Sequence, residues 1–442
     1  MEKNITEEKK IFSFDKSFSL NILYAKPDKY KQLEEISRQF DEIINTGSNL
    51  SYSPLGINQN GVSLELKKFN RIIDFNKNEK TITVEAGMTL IDFLNFTLKK
   101  NLWIPQLPGY PTITIGGAVS ANSHGKSCAV HGTIRKSIKS ILLFHKINGW
   151  MILSEEENKD IFDLTVGGLG LTGTIVQVTF NLTHIENSIF RTKKSKVSNI
   201  QECEKFFVKS YKDTSFIYSW HRADNLNNFG EGIIYENFVD NESSSNFQNF
   251  KIKDNKFKPL PLPFWNSFSI SIINFIFLHY SRLEKREKKE NFLKVIFPFY
   301  GKESYFNFFG RKGFLEIQLL IDQKNLQNFL EEFKKLYKIF KPSIALFSLK
   351  NMSGEQTFLR FEDNKVCVTF DFIKNKSSLS FMNEVDKLYT KYDILPSVVK
   401  DSRINKDVFY KTYKQAFDFR NKLHDFDKKR SYKSEASKRL DL

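Results

Sequence analysis

Residues 112–132, with the sequence TITIGGAVSANSHGKSCAVHG, combine residue types that suit close contact with a ligand. The glycine pair Gly116–Gly117 follows a β-branched run, and small residues separate it from Ser123–His124–Gly125–Lys126. Glycines permit a close approach of the backbone to another group, and small side chains keep that approach open. We therefore predict that a flat or phosphorylated molecule lies against this segment.

Two further glycine-containing segments occur in the first part of the chain, INTGSNLSYS at 44–53 and VGGLGLTG at 166–173. None of the three is a GxGxxG dinucleotide fingerprint followed by an acidic residue, nor a GxxxxGK[ST] phosphate loop. A glycine-containing segment of this kind, taken alone, is more often a structural turn than a binding loop. Together they predict a groove in which backbone N–H groups bind a pyrophosphate and small residues line a planar ring system.

The composition is that of a folded protein with a strongly basic balance. The 442 residues include 44 Phe and 16 Tyr, and 67 Lys and Arg against 51 Asp and Glu give a formal net charge of +16. This charge indicates either an anionic partner or a solvated basic surface, and both interpretations stay open. Cys128, Cys203 and Cys367 are widely separated and form no metal-binding pattern, which predicts a reducing compartment and no metal site. The charged N-terminus predicts no export signal.

The elements that must position the glycine segments alternate strands and helices. GVSLEL and TITVEAG predict half-buried strands. After Gly87 the spacing becomes helical, with Thr89 as N-cap and Asp92 three residues later. Two strands are predicted around a turn at Asn148–Gly149. Residues 1–185 therefore form an α+β domain with glycine-rich turns.

The composition changes at about Ile185, and up to Pro396 Phe, Asn and Lys dominate. The helical stretch NLQNFLEEFKKLYKIF and the strand-like FLEIQLLI and KVCVTFDF predict a second domain in which helices cover a sheet. The polar residues 240–256 predict a mobile loop, which we extend to about residues 230–290.

An apolar stretch, PLPLPFWNSFSISIINFIFLHY at 259–280, precedes a run of charges. Its prolines, together with Asn266 and Asn274, argue against a membrane-spanning helix, which needs ~20 mostly apolar residues. Two interpretations remain equally open. The stretch is either an amphipathic segment that lies on a surface beside basic residues, or an ordinary buried helix.

Several stretches resemble a known family. PQLPGYPTITIGGAVSANSHGK, followed further on by DIFDLTVGGLGLTG, resembles the FAD-binding domain of the vanillyl-alcohol oxidase superfamily. FPFYGKESYFNFFGRKGFLEIQLLI, VCVTFDF, VVKDSR and the terminal SEASKRLDL are similar, in order and spacing, to its decaprenylphosphoryl-ribose 2′-oxidase group. The resemblance implies an α+β fold with a two-subdomain FAD-binding domain of the PCMH type at 1–185. It also implies an α+β substrate cap domain with an antiparallel sheet at 186–395, and a C-terminal segment, 396–442, that returns to the FAD domain.

The resemblance implies FAD as the cofactor. We predict that it is bound noncovalently, because Leu50 stands where members with covalently attached FAD often carry a histidine. Asn49 replaces a family arginine, and Ser127–Cys128–Ala129 replaces Asn-His-His. The implied cofactor-binding residues are Gly47, Ser48, Asn49, Ser51, Tyr52, Gly109, Thr114, Ile115, Gly116, Gly117, Ala121, Asn122, Ser123, His124, Gly125, Gly168, Gly170, Gly173 and Ile175.

On the substrate side, the resemblance implies that Gln318, Cys367 and Lys400 point into a cavity, with Lys126 and Lys365 as further substrate-binding residues. Glu316 stands where relatives usually carry a glutamine, and Ser397 where they often carry a tyrosine. Oxidation of a secondary alcohol requires hydride transfer to the flavin and a partner for the hydroxyl proton. We predict that Lys400 holds the hydroxyl and stabilises developing negative charge, and that His124 orients the hydroxyl or accepts its proton.

The predicted function is oxidation of the 2′-hydroxyl of a polyprenyl-phosphoryl pentose to the 2′-keto sugar, for cell-envelope glycan synthesis. In the family a separate NAD(P)H-dependent short-chain reductase completes the epimerisation from ribose to arabinose, so such a partner is implied. We predict no nucleic-acid partner. One alternative is a soluble sugar-alcohol or aldonolactone oxidase, and a second is a flavin-free basic binding protein. The predicted location is cytoplasmic, with peripheral contact at the inner face of the membrane as a further hypothesis.

Overall fold

The computed structural model describes residues 6–210, 215–240, 247, 249–252, 257–283 and 287–442. It contains many helices and mainly antiparallel sheets, which confirms the predicted α+β class. Among the described residues, no helix combines the length and the apolar character needed to cross a bilayer.

Three sheets, of four, five and two strands, form the first part of the described chain. A four-stranded sheet in the order β1-β2-β4-β3 contains β1 (Thr6–Phe12), β2 (Ser19–Ala25), β3 (Ile43–Thr46) and β4 (Val62–Glu65). The next strands are β5 (Ile72–Asn76), β6 (Thr81–Glu85), β7 (Leu102–Trp103), β8 (Ile138–His145), β9 (Gly149–Ser154), β10 (Thr174–Asn181) and β11 (Thr183–His184). Of these, five form an antiparallel sheet in the order β5-β6-β10-β8-β9, and β7 pairs with β11.

An eight-stranded antiparallel sheet follows, in the order β15-β12-β14-β13-β17-β18-β16-β19. Its strands are β12 (Ile189–Val197), β13 (Phe216–His221), β14 (Gly232–Val239), β15 (Glu287–Asn291), β16 (Phe314–Ile321), β17 (Ile344–Asn351), β18 (Val366–Ile373) and β19 (Leu395–Pro396).

Helices connect and cover the sheets. Those of the first part are α1 (Tyr30–Gln39), α2 (Leu90–Thr97), α3 (Ile115–Ser120), α4 (Cys128–His131) and α5 (Lys159–Thr165). The others are α6 (Ile200–Ser210), α7 (Ser267–Leu283), α8 (Phe292–Ile296), α9 (Ser304–Asn307), α10 (Gln323–Phe340), α11 (Lys376–Asp386), α12 (Leu388–Lys391), α13 (Lys406–Thr412), α14 (Ala416–Phe426) and α15 (Glu435–Leu440).

Local patterns predicted several of these elements correctly. The Thr89 hydroxyl caps α2 by accepting a hydrogen bond from the Asp92 backbone N–H, at 3.3 Å. The chain turns between β8 and β9 as predicted at Asn148–Gly149. The stretches FLEIQLLI and VCVTFDF form β16 and β18.

The strands β16 and β18 are buried along their whole length because both faces of the sheet are covered. On one face Phe370 stacks against Phe333 of α10, with ring centroids 4.5 Å apart. The alternate residues Thr369 and Asp371 point to the opposite face and line a cavity. The period of two along a strand therefore separates core side chains from site side chains.

The C-terminal segment packs against the first glycine segment. Tyr432 forms a parallel β-bridge with Ile43. Further along, Arg439 donates from Nη2 to the Ser53 hydroxyl at 3.0 Å, and the Ser53 N–H donates to the Val399 carbonyl at 3.1 Å. These contacts tie the C-terminal segment to β3 and to the residues that follow it.

The mobile loop predicted at about 230–290 falls partly on residues 241–246, 248, 253–256 and 284–286, which lie outside the described residues. Regular elements occupy much of the remainder, since β14, α7 and part of β15 fall within it. The strand β14 is paired on both sides, by β12 and by β13.

A buried histidine at the end of β13 makes stability depend on pH. The His221 Nδ1 donates to the Gly230 carbonyl at 2.8 Å, and its Nε2 accepts from the Ser219 hydroxyl at 2.7 Å, an arrangement for the neutral ring. Burial lowers the pKa of His221 from 6.5 to about 4, although the Gly230 carbonyl opposes the shift. Between these values the unfolded chain binds the extra proton and the folded chain does not.

We expect the free energy of unfolding to fall as the pH drops from about 6.5 to 4, with His221 contributing a loss of ~3 kcal/mol. Melting temperatures at pH 7 and pH 5 test this. The decrease should be smaller in the variant His221→Gln than in the native chain or in the exposed control His184→Gln. An equal decrease in all three would contradict the assignment.

Candidate functional site

A cavity of about 1120 Å³ lies between the glycine segments and the eight-stranded sheet. Its volume exceeds the ~300–1,000 Å³ of typical small-molecule sites, so a dinucleotide and a substrate can share it. Of the residues predicted to bind the cofactor, those on its wall are Gly47, Ser48, Asn49, Ser51, Tyr52, Gly109, Thr114, Gly116, Gly117, Ala121, Ser123, His124, Gly170, Gly173 and Ile175.

The three glycine segments are joined by direct contacts. The Ser48 hydroxyl donates to the Thr112 carbonyl, which links the first segment to the second. Asn45 links the first to the third, because its Nδ2 donates to the Gly173 carbonyl at 3.2 Å and its Oδ1 accepts from the Thr174 hydroxyl at 2.9 Å. Segments more than a hundred residues apart thus form one wall.

Glycine at position 47 is required by the closeness of this approach. A Cβ atom there would lie 2.1 Å from Thr114 Oγ1, too close for any side chain. At Gly170 the backbone has φ +78°, a conformation that favours glycine.

Four residues predicted to bind the cofactor lie behind the wall instead. Ile115 belongs to the core of the first part of the chain, and Asn122 is 1% exposed. A Cβ at Gly125 would lie 2.2 Å from the Leu107 carbonyl oxygen, and one at Gly168 would lie 1.8 Å from that of Leu164. These two glycines therefore serve backbone packing that supports the wall. For all four residues the structure departs from the prediction.

The glycine-rich wall fits FAD. It is continuous over three segments and small residues line it, and glycine-containing loops of this kind bind pyrophosphate through backbone N–H groups. Leu50 also lines the cavity, and its hydrocarbon side chain has no atom that could bond to a flavin.

The opposite wall carries a cluster of ionisable groups around Lys400. Its Nζ lies 3.5 Å from Glu316 Oε1 and 3.7 Å from the centroid of the Tyr52 ring. Asp371 accepts a hydrogen bond from the Tyr305 hydroxyl at 2.7 Å. Burial, and the nearby Glu316, raise the pKa of Asp371 well above its usual range. Lys400 is therefore the cation of a cluster in which one carboxyl group favours its protonated form.

Tyr52 and Tyr305 keep their hydroxyl protons at neutral pH. Burial raises the pKa of both phenols well above the usual value, and the Glu316 and Asp371 carboxyl groups add to the effect. Each can therefore donate a hydrogen bond. Tyr305 already does so to Asp371.

His124, on the glycine-rich wall of the same cavity, is a neutral base. Burial, and then the charges of Lys350 and Lys400, lower its pKa well below 6.5. Its ring is 5.6 Å from the Phe361 ring, centroid to centroid. A neutral imidazole can accept a proton, which a charged imidazolium cannot.

Lysines dominate the charge of the cavity wall. The lysines on it are Lys126, Lys194, Lys288, Lys294, Lys302, Lys350 and Lys400, and the carboxylates found there among the described residues are Glu290, Glu316 and Asp371. Glu290 pairs with Lys288 at 2.9 Å and Lys294 at 3.2 Å. The cavity therefore carries an excess of positive charge.

Lys126 occupies the most unfavourable position among these cations. Its ammonium nitrogen is buried and has no hydrogen-bond acceptor in the described part of the chain. The nitrogen lies 4.0 Å from the centroid of the Tyr218 ring, which is itself stacked on Tyr235. Burial, followed by the charges of Lys350 and Lys302, lowers its pKa well below 10.5. A bound anion would remove this penalty.

Of the predicted substrate-side residues, Gln318, Lys126, Lys400 and the neighbouring Ser397 line the cavity. Gln318 donates from Nε2 to the Thr369 hydroxyl at 3.2 Å. Cys367 and Lys365 differ from the prediction. Cys367 is 1% exposed within a hydrophobic cluster, and Lys365, which does not line the cavity, pairs with Asp393 at 3.0 Å.

Sequence reasoning missed other residues of the wall, among them Tyr218, Lys302, Tyr305, Lys350 and Asp371. For Asp371 there was a signal. A carboxylate in the middle of the apolar strand VCVTFDF is unexpected in a buried position, and its burial needs a functional or structural reason.

Comparison with known proteins agrees with this geometry. Residues 23–149 match the FAD binding domain family. The chain therefore carries an FAD binding domain and is an FAD-dependent oxidoreductase. It is 24% identical to decaprenylphosphoryl-beta-D-ribose oxidase of Mycolicibacterium smegmatis over 425 residues, which cover 90% of this chain and 89% of that protein.

Other relatives match less than half of the chain. L-gulonolactone oxidase of Mus musculus is 26% identical over 190 residues, 42% of this chain and 40% of that protein. The mitochondrial L-galactono-1,4-lactone dehydrogenase of Arabidopsis thaliana is 23% identical over 44% of this chain and 32% of that protein. The flavin-free binding protein, an alternative left open by the sequence, is not supported by these matches.

Proposed function

We propose that this chain oxidises the 2′-hydroxyl of a polyprenyl-phosphoryl ribose to the 2′-keto sugar. The likeness to decaprenylphosphoryl-beta-D-ribose oxidase supports this because it extends over 90% of the chain, and so takes in most of the eight-stranded sheet, which carries Glu316, the ion-pair partner of Lys400. The lactone-oxidising relatives match less than half of the chain.

The single observation that carries the proposal is the buried ammonium group of Lys126, which lies near Lys350 and Lys302 and has no hydrogen-bond acceptor within the described ranges. Several lysines around one cavity favour an anionic substrate over a neutral lactone. A phosphate oxygen would provide the charge-assisted hydrogen bond that Lys126 lacks among the described residues.

The residues around Lys400 suit the other half of the substrate. Oxidising a secondary alcohol removes a hydride from carbon and a proton from oxygen. FAD, when bound, supplies the hydride acceptor. The Lys400 ammonium group holds the hydroxyl oxygen and stabilises negative charge that develops on it, and neutral His124 accepts the proton. Asp371, protonated more readily than an ordinary carboxyl, donates a hydrogen bond to the sugar.

The product of this reaction, a keto sugar, has to be reduced from the other face to complete an inversion at that carbon. The proposal therefore includes a separate NAD(P)H-dependent reductase as the next enzyme. It also includes a cytoplasmic location for the chain, at the inner face of the membrane that holds the lipid-linked substrate.

Anaerobic reduction of the bound flavin tests the proposal against the lactone alternative. Farnesyl-phosphoryl ribose should bleach the visible absorbance of the purified protein, and L-gulono-1,4-lactone should not. Farnesyl phosphate, which lacks the sugar hydroxyl, is the control and should bind without bleaching. Bleaching by the lactone alone would overturn the proposal in favour of a lactone oxidase.

A further inference from the structure

The helix α7 and the loop before it expose an unusual number of large apolar side chains. Half of all the exposed large apolar side chains in the described chain lie between residues 260 and 280. On α7, Phe268 is 75% exposed and Phe275 is 63% exposed, and before it Leu262 is 78% exposed. We define the α7 apolar face as the exposed residues Leu260, Leu262, Phe264, Phe268, Ile272, Phe275 and Ile276.

The attachment of α7 reverses the usual orientation of an amphipathic helix. Polar groups face the protein, because Ser271 and Asn274 each donate a 3.0 Å hydrogen bond to the Asp224 carboxylate. That carboxylate is held in turn by Arg222 through bonds of 2.9 and 2.8 Å. The inward-facing Ile270 and Leu278 complete the contact. An ordinary surface helix turns such polar groups to water and its phenylalanines to the core.

The cavity opens beside this face. Phe277 and Tyr280 line the cavity and are also 39% and 62% exposed, so they stand at its mouth. Both belong to α7. Phe277 directly follows the exposed Ile276 in the sequence, and Tyr280 lies one helical turn further on. A molecule bound in the cavity therefore leaves it next to the α7 apolar face.

Cationic side chains border the same region. Gly310 packs so closely on residues 262–263 that a Cβ there would lie 2.8 Å from the Pro263 nitrogen. This places the exposed Arg311 and Lys312 beside the loop. Lys294, 69% exposed, lies on the cavity wall. Apolar side chains with basic residues at their border are the composition that binds anionic membrane surfaces.

We propose that the α7 apolar face docks on the surface of an anionic lipid bilayer. The phenylalanines and aliphatic side chains enter the boundary between head groups and acyl chains, while Arg311, Lys312 and Lys294 contact lipid phosphates. The cavity mouth then faces the bilayer. A lipid-linked sugar can present its head group to the cavity while its hydrocarbon chain stays in the membrane, a consequence that rests on the proposed function.

Co-sedimentation of the full-length protein with vesicles tests the docking surface directly. Binding is expected to vesicles of phosphatidylcholine with phosphatidylglycerol, and to be weaker with phosphatidylcholine alone. The double variant Phe268→Ser/Phe275→Ser should bind at least ~10-fold more weakly, since each phenylalanine contributes through buried apolar area. The matched control Ile339→Ser/Phe417→Ser removes two other exposed apolar side chains, 71% and 57% exposed, and should bind like the native chain.

Failure of the docking surface and failure of the proposed function give different results. Neither Phe268 nor Phe275 lines the cavity, so the double variant should keep its flavin absorbance and its bleaching by soluble farnesyl-phosphoryl ribose. Vesicle binding without any bleaching would leave the docking surface standing and overturn the proposed substrate. The docking surface would be overturned if the native protein binds neither vesicle type, or if the double variant binds the vesicles as tightly as the native protein does. A third result would also overturn it. If the native chain is a dimer that does not bind vesicles and the double variant is a monomer, the α7 apolar face is a contact between two copies of the chain.

Discussion

Replacing Lys400 by alanine is expected to lower kcat by ~10²–10⁴-fold while the protein keeps its flavin. The side chain is the cation nearest to Glu316, at 3.5 Å, and it packs on the Tyr52 ring. Without it, no ammonium group remains at that point to hold the sugar hydroxyl and stabilise the charge that develops on its oxygen. The loss should therefore fall on the chemical step and less on substrate binding.

Stopped-flow reduction of the flavin under anaerobic conditions measures that step alone. The control Lys414→Ala removes a lysine that is 75% exposed and pairs with Asp393, and it should reduce at the native rate. The variant Lys400→Arg keeps the charge but changes the geometry, so it should retain more activity than Lys400→Ala. Loss of the flavin from Lys400→Ala would assign Lys400 a structural role, and an unchanged reduction rate would remove it from the mechanism.

The secondary structure around the site was largely predictable because it depends on neighbours in the sequence. The strands β16 and β18 and the helix α10 follow from apolar runs and helical spacing within a single stretch. That the three glycine segments converge could be predicted only because all three occur in one chain. The contacts that produce it, such as Asn45 with Thr174, join residues with no local relation.

The position of a side chain along a predicted strand was harder to derive. Cys367 and Asp371 lie on the same face of β18, four residues apart, and only Asp371 reaches the cavity. The difference arises because the cavity ends before Cys367, where α4 and the hydrophobic cluster around Leu320 and Leu395 fill the space. No pattern within VCVTFDF indicates where a cavity ends.

The helix α7, whose polar side chains face the protein, shows a similar limit of prediction from sequence. Its sequence left open whether the apolar residues face a core or a surface, since both interpretations predict a helix over the same residues. The decision came from Asp224, which lies more than forty residues earlier and binds the polar side chains of α7. Buried polar groups need partners, so the position of one carboxylate fixed which face turns outward.

A second large effect is expected at the other end of the cavity. The variant Lys126→Met should lower kcat/KM for farnesyl-phosphoryl ribose by ~10²-fold, mainly through a higher KM, because removing one partner of a buried charge pair costs about 2–5 kcal/mol. Methionine preserves most of the length and the contact with the Tyr218 ring but carries no charge. The expected loss is confined to phosphorylated substrates. A farnesyl riboside without the phosphate should react as poorly with the variant as with the native protein.

The pH dependence of KM distinguishes a phosphate contact from a general disturbance. Burial and the charges of Lys350 and Lys302 lower the pKa of Lys126, so its ammonium group loses its proton at a lower pH than a surface lysine does. Only the protonated form attracts phosphate, and KM of the native chain should therefore rise as the pH increases through that lowered pKa. Lys126→Met should lack this rise, while Lys139→Met, which changes an exposed lysine paired with Glu79, should retain it. Equal losses with the phosphorylated and unphosphorylated substrates would show that Lys126 shapes the cavity and does not bind phosphate.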